Sequence, residues 1–64
     1  MKIIIINDYQ YVPAHNIDAV LIQHDDQKCL TVHTVGGYTL NNHYPDKDIC
    51  RQDYERIFNE LENN

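Results

Sequence analysis

Apolar residues change their spacing once along this chain, near residue 45. Before that point they stand in short β-branched or alternating runs, and after it they recur at steps of three and four. That single switch of period in 64 residues predicts a sheet-forming front and one C-terminal helix, an α+β fold in one domain over 1–64. A chain this short buries only about 60% of the surface its unfolded form exposes. Its core supplies about 3–5 kcal/mol, so a disulfide, a metal or a partner subunit is the usual addition.

Four consecutive isoleucines in Lys2-Ile3-Ile4-Ile5-Ile6 read as a first strand over 2–6, apolar on both faces, central or covered by a partner. Asn7 and Asp8 close it, and Tyr9-Gln10-Tyr11-Val12 forms a short strand or extended arm that ends at Pro13. Strands follow over 17–24 and 29–35, joined by the polar Asp25-Asp26-Gln27-Lys28. Alternation places Leu30 and Val32 on one face and Cys29, Thr31 and His33 on the other. Gly36-Gly37 signals a tight hairpin into a strand over 38–40. Asn41 to Pro45 reads as loop. A helix over 48–61 carries an apolar stripe of Ile49, Cys50, Tyr54, Ile57, Phe58 and Leu61, with Asp46 or Asp48 at its start. Arg51 and Glu55, and Arg56 and Glu60, stand four apart as candidate surface pairs. The expected layout is a small antiparallel meander of three or four strands with the helix packed on one face.

Val12-Pro13, Ile17, Leu30, Val32, Gly36-Gly37-Tyr38 and Leu40 follow one another in the order of an extended segment, strand, hairpin, strand, glycine turn and short strand before a terminal helix. Over residues 11–61 this order resembles the small FlbD-type flagellar accessory proteins. The isoleucine strand and the longer loop before the helix depart from that pattern. The resemblance implies a fold and no function.

Ten acids against five bases give a formal net charge of −5. The bases are scattered, so no patch stands ready to neutralise phosphates, and direct nucleic-acid binding is not expected. No run of about 20 apolar residues is present to span a membrane. Four isoleucines that run straight into Asn7 and Asp8 are too few for an export signal, which makes the expected location cytoplasmic. Cys29 and Cys50 are then expected as free thiols.

Four histidines and two cysteines raise the possibility of a metal. His24, Cys29 and His33 are the candidates, with His24 facing Cys29 across the hairpin. Yet no ligand pair has zinc-site spacing, and Cys29 and His33 lie about 13 Å apart by strand rise. No cofactor is therefore expected. The chain has no serine and no nucleophile motif, Gly36-Gly37 precedes a strand where a phosphate loop would precede a helix, and Asp25 and Asp26 read as solvated turn residues. Cys50 falls near the helix start but also on the apolar stripe, which favours an inert buried thiol. A chain this small is also not expected to enclose a pocket of roughly 300 Å³. No catalytic residue is assigned.

Five tyrosines and the isoleucine strand favour a non-enzymatic interaction module, homo-oligomeric or bound to another protein, with contacts at Ile4, Ile6, Tyr9, Tyr11 and Leu21. One alternative is an acidic inhibitor whose helix carboxylates (Asp46, Asp48, Asp53, Glu55, Glu60, Glu62) occupy a basic protein surface. A small metal-linked module is the other.

Overall fold

The computed structural model describes residues 2–63. Strands β1 (Ile3–Asn7) and β2 (Gln10–Pro13) lead through a 3-10 turn (Ala14–Asn16) to β3 (Ile17–Ile22), β4 (Cys29–Thr34), β5 (Thr39–His43) and helix α1 (Lys47–Glu62). This is a small α+β fold with the C-terminal helix packed on the sheets. The strands do not form one meander: β1 and β2 make a two-stranded antiparallel ribbon, and β3-β4-β5 a separate three-stranded antiparallel sheet.

Local chemistry explains the split. Asn7 accepts the Tyr9 N–H through its side-chain oxygen (2.8 Å), which turns the chain back on itself after β1. Ala14 N donates to the Lys2 carbonyl (2.9 Å) and closes the ribbon, after which the 3-10 turn carries the chain away to start the second sheet. The isoleucine strand is thus half of a ribbon, not the centre of a sheet.

Period-two alternation then decides burial. Ile4 (0% exposed) and Ile6 (2%) face inward, whereas Ile3 (46%) and Ile5 (53%) face out. The inward side chains of the ribbon meet Leu30 and Val32 of β4 and Cys50 and Ile57 of α1 in one core, with Val20, Ile22, Leu40 and Tyr54 packed against it. The sheet forms one layer, and the ribbon and α1 lie side by side in the other. Arg56 Nη2 donates to the Ile5 carbonyl (2.9 Å), and Lys2 Nζ donates to the Glu60 carbonyl (2.6 Å). These bonds lock the outer edge of β1 against the helix.

The outer face of the sheet is polar. Gln23 Nε2, just past the end of β3, donates to Thr31 Oγ1 of β4 (3.1 Å), and Thr31 Oγ1 donates to Asn41 Oδ1 of β5 (2.8 Å). Cys29 and Thr31 are buried on this face by their strand neighbours, and Leu21 is 38% exposed beside them.

Element bounds differ from the sequence expectation mainly at β5, which runs to His43 where a loop from Asn41 is expected. Asparagine disfavours strands, but pairing of Leu30 with Asn42 and of Cys29 with His43 overrides that preference. β3 ends at Ile22, because Asp26 O accepts the Cys29 N–H (3.0 Å) and curls the connection tightly. In α1, Asp46 is the N-cap and accepts the Ile49 N–H (2.9 Å). The buried stripe is narrower than expected: Cys50 and Ile57 are enclosed, but Ile49 (42%) and Phe58 (44%) are exposed, Phe58 stacking on Tyr54 with ring centroids 6.1 Å apart. Arg56 pairs with Glu60 (2.8 Å) and with Asp53 (2.7 Å), whereas Arg51 forms no pair with Glu55.

Candidate functional site: the ribbon face and the adjoining groove

The five residues expected at a contact surface are divided among three places. Ile4 and Ile6 are enclosed in the core and present nothing to a partner. Leu21 lies on the outer face of the sheet, across the molecule from the ribbon. Tyr9 (93% exposed) and Tyr11 (64%) remain on the ribbon surface. They are joined there by the isoleucines of opposite parity, because Ile5 pairs with Tyr11 and Ile3 with Pro13. The result is an uncharged apolar face built from Ile3, Ile5, Tyr11 and Pro13, with the Tyr9 ring at its end. The isoleucines expected at the surface are the inward ones, because four in a row carry no parity signal.

An open groove of about 670 Å³ adjoins the end of the ribbon. The Asn7–Tyr9 turn, the end of β5 and the middle of α1 form its walls. The expectation that so short a chain offers no cavity of this size is therefore corrected: the ribbon and the helix together do not cover the whole sheet, and the uncovered margin is concave. Inside it Tyr44 Oη donates to Asp53 Oδ2, and Arg56 Nε donates to Asp53 Oδ1 (2.7 Å). Burial first, and the Asp53 carboxylate second, push the Tyr44 pKa well above its usual value, so its proton stays on the phenol. The hydrogen bond that Arg56 donates to Asp53 likewise raises the Arg56 pKa and keeps the guanidinium charged. Asn7 Nδ2 donates both to Gln10 Oε1 (2.8 Å) and to Asn42 Oδ1. Asn42 Nδ2 is buried with no partner among the described residues.

A second open cavity of about 420 Å³ lies between the β3–β4 connection and the start of α1, lined by His24, Gln27, Lys47 and Arg51 among others. Its cationic side chains are all exposed to solvent.

The candidate metal ligands are not assembled. His24 is exposed in the connection after β3, Cys29 is buried at the start of β4, and His33 Nδ1 lies 3.2 Å from Thr39 Oγ1. No group of three or more His, Cys, Asp or Glu with ligand geometry occurs among the described residues. Across the β3–β4 hairpin it is Gln23 and not His24 that faces Cys29, since Gln23 N donates to the Cys29 carbonyl (3.1 Å), and on the other side of β4 Cys29 pairs with His43 of β5.

Cys29, His43 and Asp26 thereby fall in the order of a nucleophile, a base and an orienting acid, a constellation the sequence did not reveal. The geometry does not support that chemistry. The thiol is 1% exposed and makes no hydrogen bond to the imidazole, and His43 Nδ1 stands 3.9 Å from Asp26 Oδ2, beyond hydrogen-bond reach. Cys50 is fully buried at the helix start, and burial raises its thiol pKa, the reverse of what activation requires.

Three of the six helix carboxylates expected to meet a basic partner are engaged within the chain: Asp46 caps the helix, Asp53 holds Tyr44 and Arg56, and Glu60 holds Arg56. No helix among the described residues is long and apolar enough to cross a membrane. No family model matches the chain, and no curated protein or solved structure does so either.

Proposed function

We propose that this chain is a non-enzymatic protein-interaction module that self-associates through the outer face of the β1–β2 ribbon. The observation that carries this reading is the exposure of Ile3, Ile5, Tyr9 and Tyr11 on one ribbon of a chain whose core is small. Exposed apolar patches of this kind favour burial against a partner, and tyrosine suits such contacts because its ring is apolar and its tip polar. A second copy is the favoured occupant. With a net charge of −5 two copies repel at long range, but the paired residues of this face, Ile3, Ile5, Tyr11 and Pro13, carry no charge. Association then rests on apolar area alone and strengthens as salt screens the repulsion.

Native mass spectrometry and sedimentation velocity over a range of concentrations test the reading. Wild type is expected to dimerise reversibly, and Ile5→Asp to remain monomeric with its melting temperature little changed, since Ile5 is already half exposed. A wild type that stays monomeric at all concentrations would remove it. Ile4→Asp is the unsuitable variant: it buries a carboxylate in the core and reports stability instead of association.

A further inference from the structure

The molecule has several strand edges, and all but one are blunted. β1 has its outer edge closed by the bond from Arg56 to the Ile5 carbonyl. β2 is four residues long and ends in Pro13, which has no N–H to offer. β3 carries a bulge between Ile17 and Ala19 and the charged Asp18. Natural edges are protected by such devices. β5, Thr39-Leu40-Asn41-Asn42-His43, has none: it holds no proline, no Lys, Arg, Asp or Glu, and no register shift against β4.

The open groups of β5 follow from the ladder. Thr34 N donates to the Tyr38 carbonyl (2.9 Å) and Tyr44 N to the Lys28 carbonyl (2.9 Å), so residues of even number bond to β4. The N–H and C=O groups of Thr39, Asn41 and His43 therefore point away from β4, and all three residues are exposed. The groove described above opens at the His43 end of this edge. Its rim carries the Tyr9 ring, 93% exposed, and Asp8, whose carboxylate has no ion-pair partner among the described residues.

We propose that β5 is a docking edge for an extended, basic segment of another protein, which adds a fourth strand to the sheet and lays a lysine or arginine side chain on the Asp8–Tyr9 rim of the groove, whose one lining cation among the described residues, Arg56, is already paired with Asp53 and Glu60. Main-chain bonds to Thr39, Asn41 and His43 hold the segment. Asp8 and the Tyr9 ring receive the cationic side chain, by ion pairing and by cation–π contact. Charge argues for a basic partner over a second copy, since pairing β5 with itself would bring together two chains of net charge −5. This site shares only the Tyr9 ring with the ribbon face, and the Ile5→Asp background of the test below keeps it distinguishable from self-association there.

The probe is an acetylated and amidated heptapeptide alternating valine and threonine, with lysine at both ends, titrated into ¹⁵N-labelled Ile5→Asp protein so that ribbon contacts do not interfere. Amide signals of Thr39, Asn41 and His43 are expected to shift and to gain protection from exchange. N-methylation of alternate peptide amides on one edge is expected to abolish this, and the paired Asp8→Asn, Tyr9→Ala variant to weaken it at least fivefold while leaving the melting temperature unchanged. Absence of shifts at millimolar peptide, shifts confined to another surface, or shifts indifferent to N-methylation would each overturn the proposal. So would β5 shifts that depend on protein concentration without peptide, which would assign the edge to a second copy.

Discussion

Tyr44 donates to Asp53 at the wall of the groove, and the pH behaviour of this contact follows from direction alone. The phenol is held protonated in the folded chain, with its pKa raised by burial and by the neighbouring carboxylate. A group that binds its proton more tightly when folded contributes fully below its unfolded pKa, about 10 for tyrosine, and loses that contribution as pH rises above it. Alkaline denaturation is therefore expected to begin near pH 10, and Tyr44→Phe to flatten this dependence. At neutral pH the same variant is expected to lose about 1–2 kcal/mol, since a hydrogen bond to a carboxylate is removed at a half-buried site. Urea melts of both proteins from pH 7 to 11 check both statements; an equal alkaline slope in the two would remove Tyr44 as the cause.

Among the elements, the β4–β5 hairpin separates two neighbouring glycines. Gly37 adopts φ of +90°, and Gly37 N donates to the Thr34 carbonyl (3.0 Å). An added Cβ there meets nothing within 4 Å, so Gly37→Ala suffers backbone strain alone. At Gly36 φ is not positive and a Cβ would rest 3.7 Å from the Tyr38 ring, an ordinary contact. Gly37→Ala is expected to destabilise by about 1–2 kcal/mol, and Gly36→Ala to be neutral or to stabilise by about 0.5 kcal/mol through a less flexible unfolded chain. Thermal melts of the two single variants decide it, because equal effects would mean that φ at Gly37 is not the constraint. In the helix, the Asp46 cap is worth about 1 kcal/mol by the same kind of comparison with Asp46→Ala.

For the whole molecule the relevant quantity is charge against apolar area. Dimerisation through the ribbon opposes a net charge of −5 on each copy, so raising salt from 20 to 500 mM, roughly 20 to 4 Å of Debye length, is expected to tighten it. Docking of a basic segment on β5 is expected to weaken over the same range. Opposite salt trends measured on one preparation thus separate the two surfaces. Both thiols are buried, so Cys29 and Cys50 are expected to resist alkylation in the native protein and to react together on unfolding.

Much of this architecture is legible in the order of residues. The switch from β-branched runs to a spacing of three and four places β1, β3, β4 and the start of β5 to within two residues, leaves β2 open as strand or extended arm, and places the helix to within one residue at each end. Alternation correctly sends Leu30 and Val32 inward and Cys29, Thr31 and His33 outward, because one polar neighbour on each side fixes the parity. Where that local contrast is missing, the sequence is silent: Ile3-Ile4-Ile5-Ile6 reads the same in either parity, and only packing against Leu30, Val32 and Ile57 selects Ile4 and Ile6 for the core and leaves Ile3 and Ile5 on the surface. The division into ribbon and sheet, the closure of β1 by Arg56, the pairing of Cys29 with His43 and the groove beside β5 are likewise decided by tertiary structure. Each depends on segments far apart in the chain, and such contacts form only when the layers come together.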